Sequence, residues 1–377
     1  LTDKDNLPGL DGLRGVLAIV VCLGHAHQIF IGPVEADGTA SAALFAWAAR
    51  LAVLWFFSLS GFVIAISVER NTARHGRFRV ADYALSRAAR ILPPLIVVMV
   101  LTATAAVTLN ALGWAETSIA RAARRSYTDG TITQLFCLAQ LTAGCSLTAD
   151  GTRIFANGPL WSLAFEIQLY VLAAVACAFS FARTLSLRLL IGALGVVFLL
   201  RAYIWLPAHS SAPQMILCYV CFGCGWLAAN IRPKCGISLV AAAFGMTMFV
   251  GIIVSRGMVA SVPAMDSWSS VLIGEIGFGF GAAAVLPVVG RLGLSRLKPT
   301  GDFSYTLYIL HFPLMLAAFF VVTHTIVPTY SLPAGWLMAA IFAPLAIMAS
   351  WLLAHVIEKP KEHRALVRRL YAAHRQA

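Results

Sequence analysis

The chain alternates long, nearly unbroken apolar runs with short polar segments, and the runs have the length of a bilayer crossing. Reading about 20 apolar residues as one span, the pattern predicts ten helices, at 13–31, 47–68, 91–112, 158–181, 187–206, 213–230, 236–255, 268–290, 302–323 and 334–357. The runs are continuous rather than alternating residue by residue, which favours helices over a β-barrel. The expected fold is therefore an all-α, polytopic membrane protein of about ten transmembrane helices. Residues 113–157 form the one long segment outside the spans, and loops of that length tend to carry function. Within it, 131–146 is apolar enough to lie in the interface or re-enter the bilayer.

Composition agrees with the pattern. The chain is 60% hydrophobic and 12% charged, with a mean hydropathy of +0.82, outside the range of soluble globular domains. A formal charge of +12 would suit nucleic acid, but the charges fall in the connections between spans, so no nucleic-acid partner is expected. With the N-terminus inside, 20 Lys and Arg fall on the cytoplasmic side and 5 outside, at Arg121, Arg124, Arg125, Arg153 and Arg256, while Arg14, Arg50 and Arg201 sit at or within the membrane edges. That asymmetry predicts both termini in the cytoplasm, in a multi-pass protein of the inner (cytoplasmic) membrane.

No charged-then-apolar leader with a cleavage site precedes the first span, which is expected to be retained. A single domain is expected over 1–377, with a helical core at 13–357, a long outer-face loop at 113–157, a basic cytoplasmic tail at 358–377 and no C-terminal extracytoplasmic domain. Of the eight cysteines, Cys218, Cys221 and Cys224 recur every third residue in an apolar span without nearby histidines. They read as core packing, and no metal site is expected. Cys137 and Cys145 share the outer loop and would pair as a disulfide if that side is oxidising.

The chemistry begins in the first span. Arg14 and His25 are eleven residues apart, close to three turns, so they share one helix face roughly 16 Å apart along the axis. In the fourth span Ser162, Glu166 and Tyr170 repeat at i, i+4 and i+8, and a carboxylate that deep is by default functional. In the ninth, Ser304, Tyr308 and His311 fall on one face, and Pro313 is expected to kink the helix just beyond the histidine. The loop before the third span ends in Arg87-Ala88-Ala89-Arg90, which reads either as topology and lipid contact or as a phosphate cradle. Ser60-Gly61 and the pair Gly277 and Gly281 read as close helix packing, and Glu275 as a buried carboxylate that needs a partner.

Counting from the expected membrane edges places His25, Glu166 and His311 in one slab near the midplane. A histidine with a carboxylate partner is a general base, since its pKa lies near neutrality. The positive inner mouth suits an anionic cytosolic reactant with a long thin arm, and acyl-coenzyme A has that form.

Five segments in order carry a resemblance. They are Leu10-Asp11-Gly12-Leu13-Arg14-x10-His25; Phe56-Phe57-Ser58-Leu59-Ser60-Gly61-Phe62; Arg87 and Arg90 with Ile91-Leu92-Pro93; Trp161-Ser162-Leu163-x2-Glu166; and Phe303-Ser304-Tyr305-x2-Tyr308-x2-His311-x-Pro313. Together they resemble the acyltransferase type 3 family of integral-membrane O-acyltransferases. The resemblance implies a ten-helix domain that uses cytosolic acyl-coenzyme A, commonly acetyl, to modify hydroxyls of cell-surface glycans, lipid-linked saccharides or small molecules. On this reading Arg14, helped by Arg87 and Arg90, holds the coenzyme A phosphates, and His25 deprotonates the acceptor hydroxyl or carries the acyl group itself. Glu166 and His311 orient His25 or the acceptor, and Tyr308 donates to the developing oxyanion. None of the nine histidines is followed by Asp four or five residues later, so the H-x3-D and H-x4-D patterns of other acyltransferases are missing. The rival is a proton-coupled transporter or glycan-lipid flippase, against which the lack of internal repeats weighs.

Overall fold

The computed structural model describes residues 8–36, 38–112, 157, 159–204, 212–232, 235–255, 271–290, 294–326, 330–365 and 367. Its elements in chain order are α1 (Pro8–Ala26), continued by a π-helical turn (His27–Ile31), α2 (Ala40–His75), α3 (Val80–Ala111), α4 (Leu160–Phe181), α5 (Leu185–Ile204), α6 (Ala212–Ile231), α7 (Cys235–Ser255), α8 (Val271–Val289), a 3-10 turn (Leu294–Leu297), α9 (Lys298–Asp302), α10 (Ser304–Thr325) and α11 (Leu332–Ile357). Among the described residues there is no strand. Nine helices there are long and apolar enough to cross a membrane, and α5 carries a shorter apolar stretch, Leu185–Leu200. Each of the ten predicted spans coincides with helix over its described residues, the ninth in two pieces. The boundaries differ most in α2 and α3, which run to 36 and 32 residues and carry Arg70, Arg74, Arg87 and Arg90. We call that side of the molecule the arginine-rich end. The predicted ninth span starts instead as the short α9, broken from α10 at Phe303.

α1 is the axis of the bundle, packed against α2 on one side and against α9, α10 and α11 on the other. α2 packs on α6 and α8, α7 covers α8, and α4 with α5 closes the side next to α2 and α3. Small residues allow the tightest approaches. A Cβ on Gly61 would meet the Phe222 carbonyl oxygen at 2.0 Å, and one on Gly225 would meet that of Ser58 at 1.8 Å, so α2 and α6 cross backbone to backbone. Gly277 and Gly281 pack against α7, with Gly281 facing the Ala241 and Ala242 carbonyls. The same device joins α1 to α9, where a Cβ on Gly301 would strike the Asp11 carbonyl at 2.3 Å.

Glu275 of α8 finds its partner in Arg50 of α2, a two-pronged ion pair with Nη2 to Oε2 at 2.9 Å and a second, shorter bond from Nε to Oε1. Arg50 also lies over the Trp47 ring at 5.5 Å. Cys218 and Cys221 are fully buried in the largest apolar cluster. Cys137, Cys145, nearly all of the long outer loop, Arg121, Arg124, Arg125, Arg153 and Arg256 lie outside the described residues, as does the side chain of Arg201.

Candidate active site

Three apolar clusters meet around the polar groups. One joins α1, α2, α4, α6 and α8, a second joins α1 to α10 and α11, and a third joins α3, α4 and α10. Phe56, Tyr170 and Tyr308 each border two of them. Between the clusters lies a cavity of about 170 Å³ lined by Arg14, Arg87, Arg90, Glu166, Tyr170 and Tyr308 among others.

Arg14 is fixed by the chain that precedes and opens α10. Its Nε donates to Ser304 Oγ at 2.8 Å, Nη2 donates to the Gly301 carbonyl at 2.8 Å, and Asp11 lies at 3.3 Å. Among the described residues no hydrogen bond engages Nη1, and Arg14 lines the cavity. Arg87 donates from Nη2 to Ser67 Oγ at 3.1 Å and lies over the rings of Tyr83 and Tyr170.

Higher on the same two helices, His25 stacks on His311 with ring centroids 5.3 Å apart and 27° between planes, and Phe312 meets His25 edge-on. His311 is completely buried, and its Nδ1 lies 2.7 Å from the Leu307 carbonyl. A carbonyl only accepts, so the proton is on Nδ1 and Nε2 carries a lone pair. That Nε2 is buried without a hydrogen-bond partner among the described residues. His25 is oriented by Gln28, with Nδ1 and Oε1 3.1 Å apart. Gln28 belongs to the π-helical turn, a distortion found mostly at functional sites. Two residues past His25, His27 is buried against the Phe45 ring and 3.1 Å from Glu35, just beyond the span.

Tyr308 stands between the cavity and the histidine pair. Its hydroxyl donates to the Pro159 carbonyl at 3.2 Å and shares a short hydrogen bond with Ser162 Oγ, while its ring is 6.2 Å from that of His311. Asn157 adds a further bond between the approach to α4 and the middle of α10, from Nδ2 to the Ile309 carbonyl at 2.6 Å. That carbonyl is four residues before Pro313, which has no N–H to give it.

This docking places Glu166 differently from the expectation. α4 begins at the level of Tyr308, near the start of α10, and not beside the far end of that helix. Glu166 is one turn beyond Ser162 toward the arginine-rich end, and His311 nearly one turn beyond Tyr308 the other way, so about 10 Å along the helix axes separates them. His25 and His311 share a level, and Glu166 lies below it in the cavity wall. Both of its hydrogen bonds use Oε1, from Ser60 Oγ at 3.0 Å and from the Tyr170 hydroxyl. Ser60, read from sequence as a packing residue, thus supports a carboxylate, while its neighbour Gly61 does the packing. Asn157 and Gln28 had no signal in the sequence beyond being amides at or near helix ends. Ser304 and Tyr170 were legible as members of the polar stripes.

The arrangement provides guanidiniums for an anion at one end of the cavity and imidazoles with a lone pair beyond the other. No protein of curated function and no solved structure matches the chain. A family model described as an acyltransferase domain matches residues 7–355, nearly the whole chain. The chain belongs to the acyltransferase type 3 family and is an integral-membrane acyltransferase.

Proposed function

We propose that this protein transfers an acyl group, acetyl by preference, from cytosolic acyl-coenzyme A to a hydroxyl of a cell-surface glycan, a lipid-linked saccharide or a small molecule. The observation that carries the reading is one cavity whose wall holds Arg14, Arg87, Arg90 and Tyr308, with the His25 and His311 pair beyond Tyr308. The arginine-rich end faces the cytoplasm of a cell whose inner membrane holds the protein, in line with the charge asymmetry of the chain. Arg14, Arg87 and Arg90 hold the donor's phosphates, for which guanidinium geometry is suited. Glu166, whose Oε2 takes no hydrogen bond from the described residues, accepts in the cavity wall from amide N–H groups of the donor arm or from the acceptor.

In the chemical step an imidazole nitrogen of the histidine pair takes the proton of the acceptor hydroxyl. The oxygen attacks the thioester carbonyl, the C–S bond breaks, and the leaving thiolate recovers the proton from the imidazolium. Tyr308 releases the Pro159 carbonyl and donates to the thioester carbonyl oxygen while charge builds on it. If His25 instead attacks first, an acyl-histidine forms and the kinetics are ping-pong.

The test is transfer of label from acetyl-coenzyme A into base-labile ester in membrane vesicles containing the protein. Incorporation that depends on His25 and Arg14 supports the proposal. Full incorporation by both His25→Ala and Arg14→Ala, or proton-coupled flux with no acyl transfer, overturns it.

A further inference from the structure

A second cavity, of about 350 Å³, opens at the arginine-rich end and shares Arg87, Arg90, Asp11 and Val63 with the first. Arg70, Arg74 and Arg364 line this outer chamber alone. Guanidiniums therefore occur in an order along one path, with Arg14 deepest, Arg87 and Arg90 at the junction, and three more outside.

The outer chamber is a constructed site rather than a basic surface. Its α2 wall ends at Gly76, in the left-handed region at φ 65°, and the turn that follows is held by Asn71. That side chain accepts from the Arg79 N–H at 2.7 Å and donates to the Arg79 carbonyl at 3.2 Å. The opposite wall is the chain after α11, docked on α3. His363 Nδ1 lies 3.3 Å from the Ala89 carbonyl, which Pro93 leaves without a helical donor, and Arg364 bonds Ser86. The tail thereby brings Arg364 beside Arg87 and Arg90. Both carboxylates in the lining are already matched to cations, Asp11 to Arg14 at 3.3 Å, and Asp82 to His75 at 3.3 Å and Arg79 at 3.6 Å. Five arginines line this chamber.

We propose that Arg70, Arg74 and Arg364 form a second phosphate subsite, distinct from the one at Arg87 and Arg90, that takes the 3′-phosphomonoester of the donor's nucleotide and makes the protein select coenzyme A over its dephosphorylated form. This rests on the acyl-coenzyme A reading above. The order along the path carries it. A donor with its thioester near Tyr308 and its diphosphate at the junction has only the nucleotide left for the outer chamber. The doubly charged group on that nucleotide is the 3′-phosphate, which bidentate guanidiniums recognise well. The head group of an anionic lipid offers the same phosphate chemistry, and the test separates the two.

Binding of adenosine 3′,5′-bisphosphate and of AMP is measured on the purified full chain in vesicles of phosphatidylcholine alone and of phosphatidylcholine with phosphatidylglycerol. The wild type is expected to favour the bisphosphate by about tenfold or more in both, since a charge-assisted contact is worth at least that. In Arg70→Gln, Arg74→Gln and Arg364→Gln that ratio falls toward one, and in Arg364→Lys it is partly retained. Because the ratio compares two ligands on one protein, partial misfolding does not imitate the effect. Equal binding of the two nucleotides by the wild type, or an unchanged ratio in all three Gln variants, overturns the subsite. So does a preference that disappears when phosphatidylglycerol is added, which marks a lipid site. Loss of acyl transfer with the binding preference intact counts against the proposed function alone.

Discussion

Replacing Asn157 by alanine tests whether the approach to α4 holds the middle of α10 in shape beside His311. Pro313 deprives the Ile309 carbonyl of its helical donor, and the fully buried Asn157 amide supplies one at 2.6 Å. In Asn157→Ala that carbonyl is left without a donor in a water-free setting, at a cost of about 1–3 kcal/mol. Ile309 is two residues from His311, and a displacement of about 1 Å at a reacting group lowers rates on the order of 100-fold. The variant is therefore expected to unfold earlier in mixed detergent micelles and to lose acyl transfer by a larger factor than its loss of folded protein explains. Pro313→Ala restores an N–H at the position the carbonyl needs. In its background Asn157→Ala is expected to be nearly harmless to stability, with a coupling of about 1–3 kcal/mol in the double-mutant cycle. Asn157→Asp sets an acceptor against an acceptor and is expected to be worse than alanine. If Asn157→Ala costs the same with and without Pro313, the amide does not stand in for the proline's missing donor and the reasoning fails.

Further outcomes follow from the same contacts. His25→Ala and His311→Ala are each expected to lower kcat by about 100- to 10,000-fold in purified protein, the usual contribution of a positioned general base or its partner; a variant of either with near wild-type turnover removes that residue from the chemistry. Arg50→Ala strands the Glu275 carboxylate and is expected to cost about 3–5 kcal/mol in micelle unfolding, whereas Arg50→Met with Glu275→Leu comes close to neutral. Burial alone would raise the pKa of Glu35, but hydrogen bonds from Ser41 and Thr39 and the neighbouring His27 outweigh it and hold this carboxyl below its ordinary 4.5. A carboxylate depressed on folding stabilises the protein above its ordinary pKa and loses that contribution as pH falls through the lowered one. Glu35→Gln is thus expected to flatten the acid limb of thermal stability below about pH 4.5, and an unchanged limb would show that the group does not titrate with unfolding.

The spans were legible because apolar length is a direct consequence of bilayer thickness, and the polar stripes because side chains repeat with the helix period. Ser304, Tyr308 and His311 do share one face, and so do Ser162, Glu166 and Tyr170. Periodicity says which residues share a face and is silent on which faces meet and at what height. Counting along α4 alone gives no height relative to α10, because Ser162 meets α10 at Tyr308, one turn from that helix's start. Asn157, Pro159 and Ser162 each hydrogen-bond a group of α10, which fixes where along that helix α4 begins. Glu275 as the partner of Arg50, Ser60 as that of Glu166 and Ser304 as that of Arg14 were illegible for the same reason, since each of these bonds joins residues more than 100 apart in the chain.

The two anchors of α1 also bear on how variants of Arg14 are to be read. Arg14 bonds Ser304 and His25 stacks on His311, so α1 and α10 run side by side in the same direction, tied at two heights. Eleven residues on α1 span roughly 16 Å and seven on α10 about 10 Å, and the long arginine side chain takes up the difference. Arg14 therefore sets the register that stacks one histidine on the other, as well as presenting charge to the cavity. Removing it takes away both at once, so retained activity in Arg14→Ala refutes both roles, whereas lost activity does not tell them apart. Arg87 has no such double duty. It is braced by Ser67, Tyr83 and Tyr170 on α2, α3 and α4, none of which carries a histidine of the pair. A rise in KM for the donor on changing Arg87, with turnover preserved, speaks for phosphate binding in a way that no change at Arg14 does.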